Sequence, residues 1–456
     1  MKIVSIIRDL ARKIGVDKSI AYSSGARVVQ AFTGMASIFF VAQFLTKDEQ
    51  GYYYTFGSII AIQVFFELGL TNIITQYVAH EASHLNWKSK TELAGPENHH
   101  SRLAHLLRFS VKWYAVIGCL FFCVLLVAGV WFFGVYSTPT EDKNVSWFIP
   151  WILVSIGTVL SLFISPLMAI IMGLDKVKEV MKMRFYQQLI IPISTWIGLI
   201  IGFHLYVLGI ASLLSVLYVI IYGFSTELKP TIHNLWEKEI SEKVSYKKEI
   251  FPYQWRIALS WLSGYFIYQL FNPVLFATQG AAVAGQMGMT LAVINGIQSF
   301  SLSWVNTKIP LWSKLIALKE YVRLDSIFRV SLIQLTLVGI LLIVIFLLGL
   351  YFLKITQPNL YSRFLPFLPL SFMLIALILN QWIAAFSSYI RCHKKEPFLW
   401  NAITIGILSS ISTIILGNFF GVNGITIGYS IVILISFIWV YIIYKNKKRE
   451  WHGIAL

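Results

Sequence analysis

The sequence predicts an all-α polytopic membrane protein, with twelve transmembrane helices in two six-helix lobes around a central cavity. Hydrophobic residues make up 57% of the 456 residues and charged residues only 13%, and the mean hydropathy is +0.70, far from the values of soluble domains. Apolar stretches long enough to cross about 30 Å of hydrocarbon recur along the whole chain. The segments between them are ~30 residues or shorter, too short for an independent core. We therefore expect the function to take place within the bilayer.

The N-terminal segment predicts a short amphipathic helix. Its apolar positions Ile3, Ile6, Ile7, Leu10 and Ile14 fall at helical spacing, and charged residues are spread among them. A signal peptide would instead carry an uninterrupted apolar core before a small-residue cleavage site. We therefore expect this helix to lie on the inner membrane surface.

Twelve apolar windows follow, each long enough to form a transmembrane helix. The fifth and sixth windows are the least distinctly separated, because only a short hairpin around His204 and Tyr206 divides them. The windows cover residues 20–44, 52–78, 109–136, 148–173, 185–204, 206–227, 253–277, 283–307, 328–353, 364–390, 398–419 and 422–444.

Lys and Arg residues are distributed unequally between the two sides of these windows. The two termini and every second loop hold most of the 37 Lys and Arg residues, whereas the opposite loops hold only Lys47, Lys143, Lys354 and Arg363. By the positive-inside rule, both termini are expected to be cytoplasmic. The same rule accounts for the net charge of +16, so we expect contact with the lipid bilayer and no nucleic-acid partner.

The second half of the chain repeats the organisation of the first. Arg27 and Arg256 stand near the start of the first and seventh windows, and each follows a basic amphipathic stretch. Six spans plus six spans in the same orientation form a parallel repeat, and such halves usually enclose a central site. We expect an N-terminal lobe at residues 1–228, a C-terminal lobe at 229–444 and a basic cytoplasmic tail at 445–456.

Glu67 is the only carboxylate deep inside an apolar window, and an ionisable residue there indicates a functional site. Gln63, Thr71 and Thr75 recur with it at four-residue intervals and share one helix face. Arg27 is the deeply placed cation of the preceding window. At 1.5 Å per residue, both charges lie on the order of 10–15 Å from the inner boundary. They could pair in one state and separate in another; the alternative for Glu67 is a structural hydrogen-bond role.

The first, seventh and eighth windows carry further polar faces. Such faces are satisfied only by one another or by a water-filled cavity. For Arg27 and Arg256, the alternative is that their side chains extend to the inner interface. The candidate substrate-binding residues are Arg27, Gln30, Arg256, Ser260, Asn295 and Gln298, and the candidate ion-coupling residues are Glu67, Gln63 and Thr71.

Small residues line the start of the eighth window. Gly280, Ala284 and Gly288 are spaced by four, with Ala281 and Gly285 beside them. Such a face lets two helices approach closely. Helix packing is the expected role, and a sliding lateral gate is the alternative.

One motif favours a different class of protein. The segment from His80 to His84 matches H-E-x-x-H, in which two His bind zinc and Glu81 would act as a base. The following loop offers His99, His100 and His105 as further ligands. The motif falls at the end of the second window, in a His-rich loop with Pro and Gly, where no rigid site is evident. A zinc protease is therefore kept only as an alternative, and we predict no metal site.

The two six-span halves contain two extended segments, GYYYTFGSIIAIQVFFELGLTNIITQYVA and QWRIALSWLSGYFIYQLFNPVLFATQGAAVAGQMGMTL. With these segments and halves, the chain resembles the polysaccharide flippases of the multidrug/oligosaccharidyl-lipid/polysaccharide (MOP) exporter superfamily. The resemblance covers essentially the whole chain. It implies a substrate, an undecaprenyl-diphosphate-linked oligosaccharide for O-antigen, capsule or exopolysaccharide, moved between leaflets of the bacterial cytoplasmic membrane. It also implies alternating access coupled to H⁺ or Na⁺.

The resemblance implies distinct roles for the two deep charges. Arg27 would engage the diphosphate, which suits the bidentate geometry of Arg, while Glu67 is protonated or cation-bound. Related drug exporters bind cations in acidic cavities and are the first alternative. A polysaccharide polymerase or ligase is another, although such enzymes resemble chains with a large external loop that this sequence lacks. We expect no enzymatic activity, no cofactor and a monomer.

Overall fold

A computed structural model describes residues 33–34, 36–137, 145–393 and 395–452. Within its helices, the side chains of Lys248, Tyr253, Arg256, Ile257, Ser260 and His452 lie outside the described part. The described chain is helical apart from one two-stranded hairpin, in which Asn86 pairs with Ala94 and Trp87 with Leu93. The prediction of a helical polytopic membrane protein is confirmed.

In the first half, helical residues 36–44 precede the numbered elements. Helix α1 begins with a capping box: the Glu49 N–H donates to Thr46 Oγ1 at 3.1 Å, and the Thr46 N–H donates to Glu49 Oε2 at 2.8 Å. The elements are α1 (Lys47–Ile60), α2 (Gln63–Glu67), α3 (Leu70–Ala82), β1 (Asn86–Trp87), β2 (Leu93–Ala94), α4 (Glu97–Tyr136), α5 (Phe148–Gly173), α6 (Val177–Ile201), α7 (Tyr206–Ser225) and α8 (Leu228–Trp236).

The second half begins with one π-helical turn, Tyr246–Ile250, that runs directly into α9. Gly421 has a non-helical backbone and divides the last helix between the two final predicted windows. The elements are α9 (Phe251–Tyr268), α10 (Phe271–Gln279), α11 (Ala281–Asn306), α12 (Ile309–Ala317), α13 (Tyr321–Thr356), α14 (Pro358–Tyr361), α15 (Phe367–Arg391) and α16 (Leu399–His452).

Helices occupy every predicted window from the second to the twelfth, and only the end of the first window is described. Within the described ranges, six helices are long and apolar enough to cross a membrane, or up to seven if the broken pair Lys47–Glu67 and Leu70–Ala82 is one span. The helices that do not reach this standard alone carry basic or polar residues, such as Arg184 on α6, Arg256 on α9 and Asn295 on α11. Their polarity lowers the hydropathy of each window without interrupting the helix.

Contacts divide the chain into two compact units. Among the described residues, the first comprises those up to Ser37, Gln63–Gly134 and Ser146–Ala258, and the second comprises Ile38–Ile62, those between Val135 and Val145, and those from Leu259 onward. The second predicted window is therefore shared, since α1 belongs to the second unit and α2 with α3 to the first. The division into lobes at residues 228 and 229 remains a prediction.

The first unit is built on close packing of α5, α6 and α7. A buried cluster of Ile171, Val180, Met183, Val219 and Leu228 joins these helices to α8. In the second unit, α12, α13, α15 and α16 share an aromatic core that includes Trp312, Phe328, Phe386 and Tyr389. Both cores include residues from helix ends that lie next to, or within, the Lys- and Arg-rich loops. Apolar packing therefore continues beyond the predicted spans.

Small residues bring α1 and α11 together in the second unit. A Cβ atom on Gly51 would lie 2.0 Å from the carbonyl oxygen of Ala281, and one on Gly288 would lie 2.3 Å from Tyr54 Cβ. Gln50 adds a buried hydrogen bond, donating from Nε2 to the Gly285 carbonyl at 2.8 Å. The small-residue face predicted at the start of the eighth window thus packs against α1.

Candidate functional site

The second predicted span is interrupted immediately after Glu67. Helix α2 ends at Glu67, Leu68 and Gly69 adopt positive φ angles of 48° and 69°, and α3 begins at Leu70. Glycine takes this left-handed conformation freely, whereas leucine adopts it at a cost of about 1–2 kcal/mol. The break therefore depends on packing around it, and it places a carboxylate at the junction of two helices.

The Glu67 carboxylate is bound across this break. The Thr71 hydroxyl, in the first turn of α3, donates to Glu67 Oε1 and lies 2.9 Å from the hydroxyl of buried Tyr114 on α4. One turn later, Thr75 Oγ1 donates to the Thr71 carbonyl at 3.1 Å and lies 3.2 Å from the carbonyl of Ala169 on α5. Glu67 thus begins a hydrogen-bonded series that joins α2, α3, α4 and α5, while the half-buried Gln63 lies one turn earlier.

A carboxylate in this position can respond to a proton or a cation. Only the ionised carboxylate accepts hydrogen bonds freely through both oxygens. Binding of a proton or a cation to Glu67 therefore changes the hydrogen bond from Thr71 that crosses the helix break. The first turn of α3 also presents backbone N–H groups, which favour a negative charge. The charge of Glu67 is therefore coupled to the backbone conformation at the break between α2 and α3.

The structure describes only some of the other predicted site residues. Arg27 and Gln30 lie outside the described residues, as does any pairing of Arg27 with Glu67. Arg256 and Ser260 lie on α9, and their side chains are also outside the described part. On α11, Asn295 is exposed and Gln298 half-buried, whereas Ile294 and Ile297 are buried on the other face. The substrate-binding and ion-coupling roles of all these residues stay predictions.

A second polar group lies in the second unit and was not predicted from the sequence. Asn380 on α15 donates from Nδ2 to the Tyr429 hydroxyl at 3.1 Å, and the Tyr268 hydroxyl lies 3.5 Å from Asn380 Oδ1. Nearby on α10, Asn272 donates to Ser58 Oγ at 3.0 Å, while its Oδ1 atom is buried and has no hydrogen-bond partner within the described residues. The available signal was the presence of amide side chains inside apolar windows, such as Asn272 and the adjacent Asn380 and Gln381.

Glu81, the glutamate of the H-E-x-x-H motif, is the centre of an ion network rather than a free base. Its side chain is 5% exposed, and its two oxygens bind Arg102 Nε at 2.8 Å and His99 Nδ1 at 2.7 Å. Arg102 also binds Glu249 Oε2 at 2.7 Å and Glu242 Oε1 at 3.4 Å. One guanidinium therefore joins the end of α3 to the segment that leads into α9.

The network favours the ionised forms of Glu81 and Glu249. Burial opposes ionisation of Glu81, but the hydrogen bonds from His99 and Arg102 outweigh it and lower the pKa below its ordinary value. At Glu249, burial is likewise outweighed by the Ser245 backbone N–H and by Arg102, so its pKa is also lowered. Both groups lie beyond the predicted spans.

The histidines of this region are used in local contacts. The His84 ring stacks on His99 with centroids 4.2 Å apart, and His100 Nε2 lies 3.0 Å from the Leu93 carbonyl of the hairpin. In the described part of the chain, no group of three or more His, Cys, Asp or Glu side chains is arranged to hold a metal ion. These contacts give the motif a structural explanation that does not involve zinc.

Comparison with known proteins shows the fold. No family profile matches the sequence, and no curated protein is significantly similar to it. Among solved structures, a MATE family multidrug resistance transporter of the MOP superfamily in an inward-facing conformation is similar, with 14% identity and a TM-score of 0.59 over 92% of this chain and 99% of that one. The MATE multidrug transporter DinF-BH, solved in complex with a ligand, has 12% identity and a TM-score of 0.60, over 96% and 97% of the two chains.

An outward-facing MATE family transporter of the MOP superfamily is also similar, with 15% identity and a TM-score of 0.51 over 95% of this chain and 97% of that one. The chain therefore has the fold of MATE transporters along nearly its whole length. At these identities the likeness describes the fold and leaves the transported molecule open.

Proposed function

We propose that this chain is a transporter that flips undecaprenyl-diphosphate-linked oligosaccharide repeat units across the bacterial cytoplasmic membrane. It would work by alternating access, coupled to a H⁺ or Na⁺ gradient. The observation that carries the proposal is the position of Glu67, the single deep carboxylate of the spans, on the break between α2 and α3. The MATE-like fold supports transport in general, and the charges of the spans favour this substrate.

The substrate proposal rests on the signs of the intramembrane charges. A lipid-linked oligosaccharide carries an anionic diphosphate, and Arg27 and Arg256 stand near the side from which it would load. Arg binds phosphate oxygens in a bidentate manner and remains charged at all accessible pH values. Glu67 is then the group that takes up the coupling ion, and Thr71 holds it across the helix break.

A drug or cation antiporter is the second candidate. It is favoured by the similarity to MATE multidrug transporters, one of which was solved in complex with a ligand. A binding site for organic cations is expected to be acidic, whereas the apolar windows here hold one deep carboxylate together with two arginines, Arg27 and Arg256. A polymerase, a ligase or a zinc protease is less well supported, because the external loops are short and Glu81 is occupied by Arg102 and His99.

The decisive experiment is transbilayer movement of a defined lipid-linked oligosaccharide in proteoliposomes. The pH and Na⁺ gradients are imposed independently, and a fluorescent cationic drug is measured in parallel. We expect gradient-dependent movement of the lipid and none of the drug. Gradient-driven transport of the drug alone would overturn the substrate proposal, and absence of any ion dependence would overturn the role of Glu67.

A further inference from the structure

A groove lies between one flank of α12 and the last turn of α15. Its volume is about 460 Å³, within the range of pockets that hold small organic ligands. Ile309, Ser313 and Ile316 recur at helical spacing and form the α12 wall, while Ser388 and Arg391 form the α15 wall. The walls are mainly apolar, with a guanidinium at one side.

The groove is held open by the core beneath it. The opposite flank of α12 carries Trp312 and Leu315, which are fully buried against Phe328 and Tyr389. Tyr389 in turn donates to Asp325 Oδ1 at 2.7 Å, which ties the end of α15 to α13. Because α12 is anchored through its buried flank, the flank that lines the groove remains available to a ligand.

The guanidinium at the groove is held in an exposed ion pair. Arg391 binds Glu396 through Nε at 2.6 Å and Nη2 at 3.2 Å, and the two side chains are 52% and 50% exposed. An exposed ion pair contributes little to stability, so another anion of suitable geometry can replace the carboxylate. A phosphate group is such an anion, because guanidinium groups bind it in the same bidentate manner.

The location of the groove restricts its occupant. Arg391 ends the helix that fills the predicted span at 364–390, and α12 lies in a Lys- and Arg-rich loop between two predicted spans. The groove is therefore expected at the boundary between hydrocarbon and headgroups, on the basic side of the protein. A ligand that places a hydrocarbon chain beside Ile309 and Ile316 and a phosphate beside Arg391 suits both its walls and its depth.

We infer that this groove binds an anionic glycerophospholipid of the leaflet next to the basic loops. One acyl chain lies along the α12 flank, and the headgroup phosphate replaces Glu396 at Arg391. This lipid is a resident ligand and not the transported molecule, so the inference goes beyond the proposed function. The bound lipid would attach α12 and the end of α15 to the membrane surface.

Cys392 lines the same groove and provides a native reporter. In a Cys119→Ser, Cys123→Ser background, the rate of maleimide alkylation of Cys392 is measured in nanodiscs of phosphatidylcholine and of phosphatidylglycerol. We expect alkylation to be at least fivefold slower in phosphatidylglycerol. Native mass spectrometry of the same samples counts retained phosphatidylglycerol and is independent of thiol chemistry.

Two variants distinguish the contribution of the Arg391 charge from that of the apolar groove. Arg391→Gln should remove the protection and the retained lipid, whereas Glu396→Gln, which frees Arg391, should preserve or increase both. Arg323→Gln is the matched control, because Arg323 forms an exposed pair with Glu320 at the start of α13 and lies outside the groove lining. It should leave both measurements unchanged, and a thermal unfolding curve for each variant confirms that it is folded.

Three results would overturn the inference. Equal alkylation rates in the two lipids would show that no anionic lipid is selected. Full protection in folded Arg391→Gln would show that the guanidinium is not the headgroup site. Protection by inorganic phosphate in phosphatidylcholine nanodiscs, equal to that by phosphatidylglycerol, would assign the site to a free anion and not to a lipid.

Discussion

The Thr71 hydroxyl donates a hydrogen bond to the carboxylate of Glu67 across the break between α2 and α3. The same hydroxyl lies 2.9 Å from that of Tyr114. A side chain from the first turn of one helix thus holds the last residue of the preceding one. Any change in the charge of Glu67 therefore acts on this junction.

Glu67→Gln and Arg27→Ala are each expected to abolish flipping while the protein remains inserted in the membrane. The amide keeps the shape of Glu67 but cannot ionise, and alanine removes the cation proposed to bind the diphosphate. Initial rates in proteoliposomes, normalised to inserted protein, provide the measurement. Glu92→Gln, in the exposed part of the loop after β1, is the control. Wild-type rates in both site variants would contradict the assigned roles.

Thr71→Val should reduce flipping less than Glu67→Gln does and should alter its dependence on the imposed gradient. Valine preserves the branched shape but removes the donor to Glu67, a loss of about 1 kcal/mol for one hydrogen bond. Thr71→Ser retains the hydroxyl and should restore the wild-type profile. An unchanged gradient dependence in Thr71→Val would show that the hydrogen bond is only structural.

Gly69→Ala is expected to destabilise the break between α2 and α3. At φ 69°, alanine adopts a conformation that costs about 1 kcal/mol relative to glycine. The midpoint of thermal unfolding in one detergent should therefore fall for Gly69→Ala. Gly57→Ala, whose added Cβ meets no atom within 4 Å, is the control. An unchanged midpoint in Gly69→Ala would contradict the left-handed conformation of the break.

Gly51→Ala should weaken the contact between α1 and α11. The added Cβ would lie 2.0 Å from the Ala281 carbonyl oxygen, so the helices must separate, at a cost of about 1–3 kcal/mol for overpacking. Gly57→Ala is the matched control on the same helix, because no atom lies within 4 Å of its added Cβ. It should be neutral or stabilising. Thermal unfolding of both variants tests the contact, and equal midpoints would exclude it.

Arg102→Gln should destabilise the protein by ~1–3 kcal/mol, because it leaves the buried Glu81 carboxylate without its cation. Lys90→Gln removes an ion pair whose members are 82% and 53% exposed, and it should cause no measurable change. Unfolding midpoints of the two variants provide the comparison. An effect of equal size in both would contradict a special role for Arg102.

The stabilisation by Arg102 should also depend on pH. The pKa values of Glu81 and Glu249 are lowered from an ordinary value of 4.5. Their contribution is therefore fully present above that value and is lost as the pH falls through the lowered values. The stability difference between wild type and Arg102→Gln should be constant near neutral pH and shrink below pH 4.5. A difference that grew on acidification would contradict this assignment.

The sequence by itself determined the class of the protein and the positions of its helices. Bilayer thickness sets the length of a spanning helix, and the cost of burying charge concentrates Lys and Arg in the loops. Both constraints are therefore visible in the local composition of the sequence. The cost of burying a charge also identified Glu67 as a candidate site residue, because it is the one carboxylate deep in its window. Local sequence patterns were sufficient to predict those features that depend on contact with the membrane and not on contact with another part of the chain.

Only the tertiary structure decided what each polar residue contacts. Leu68 is a good helix former, yet the helix breaks there, with Leu68 and Gly69 both in the left-handed conformation. Glu81 matched a zinc motif locally, yet it binds Arg102, whose guanidinium is shared with Glu249 from a segment distant in the sequence. Asn380 meets Tyr429 in the same way. Such contacts depend on how helices pack, because a buried polar group takes the partner that folding brings within hydrogen-bond distance.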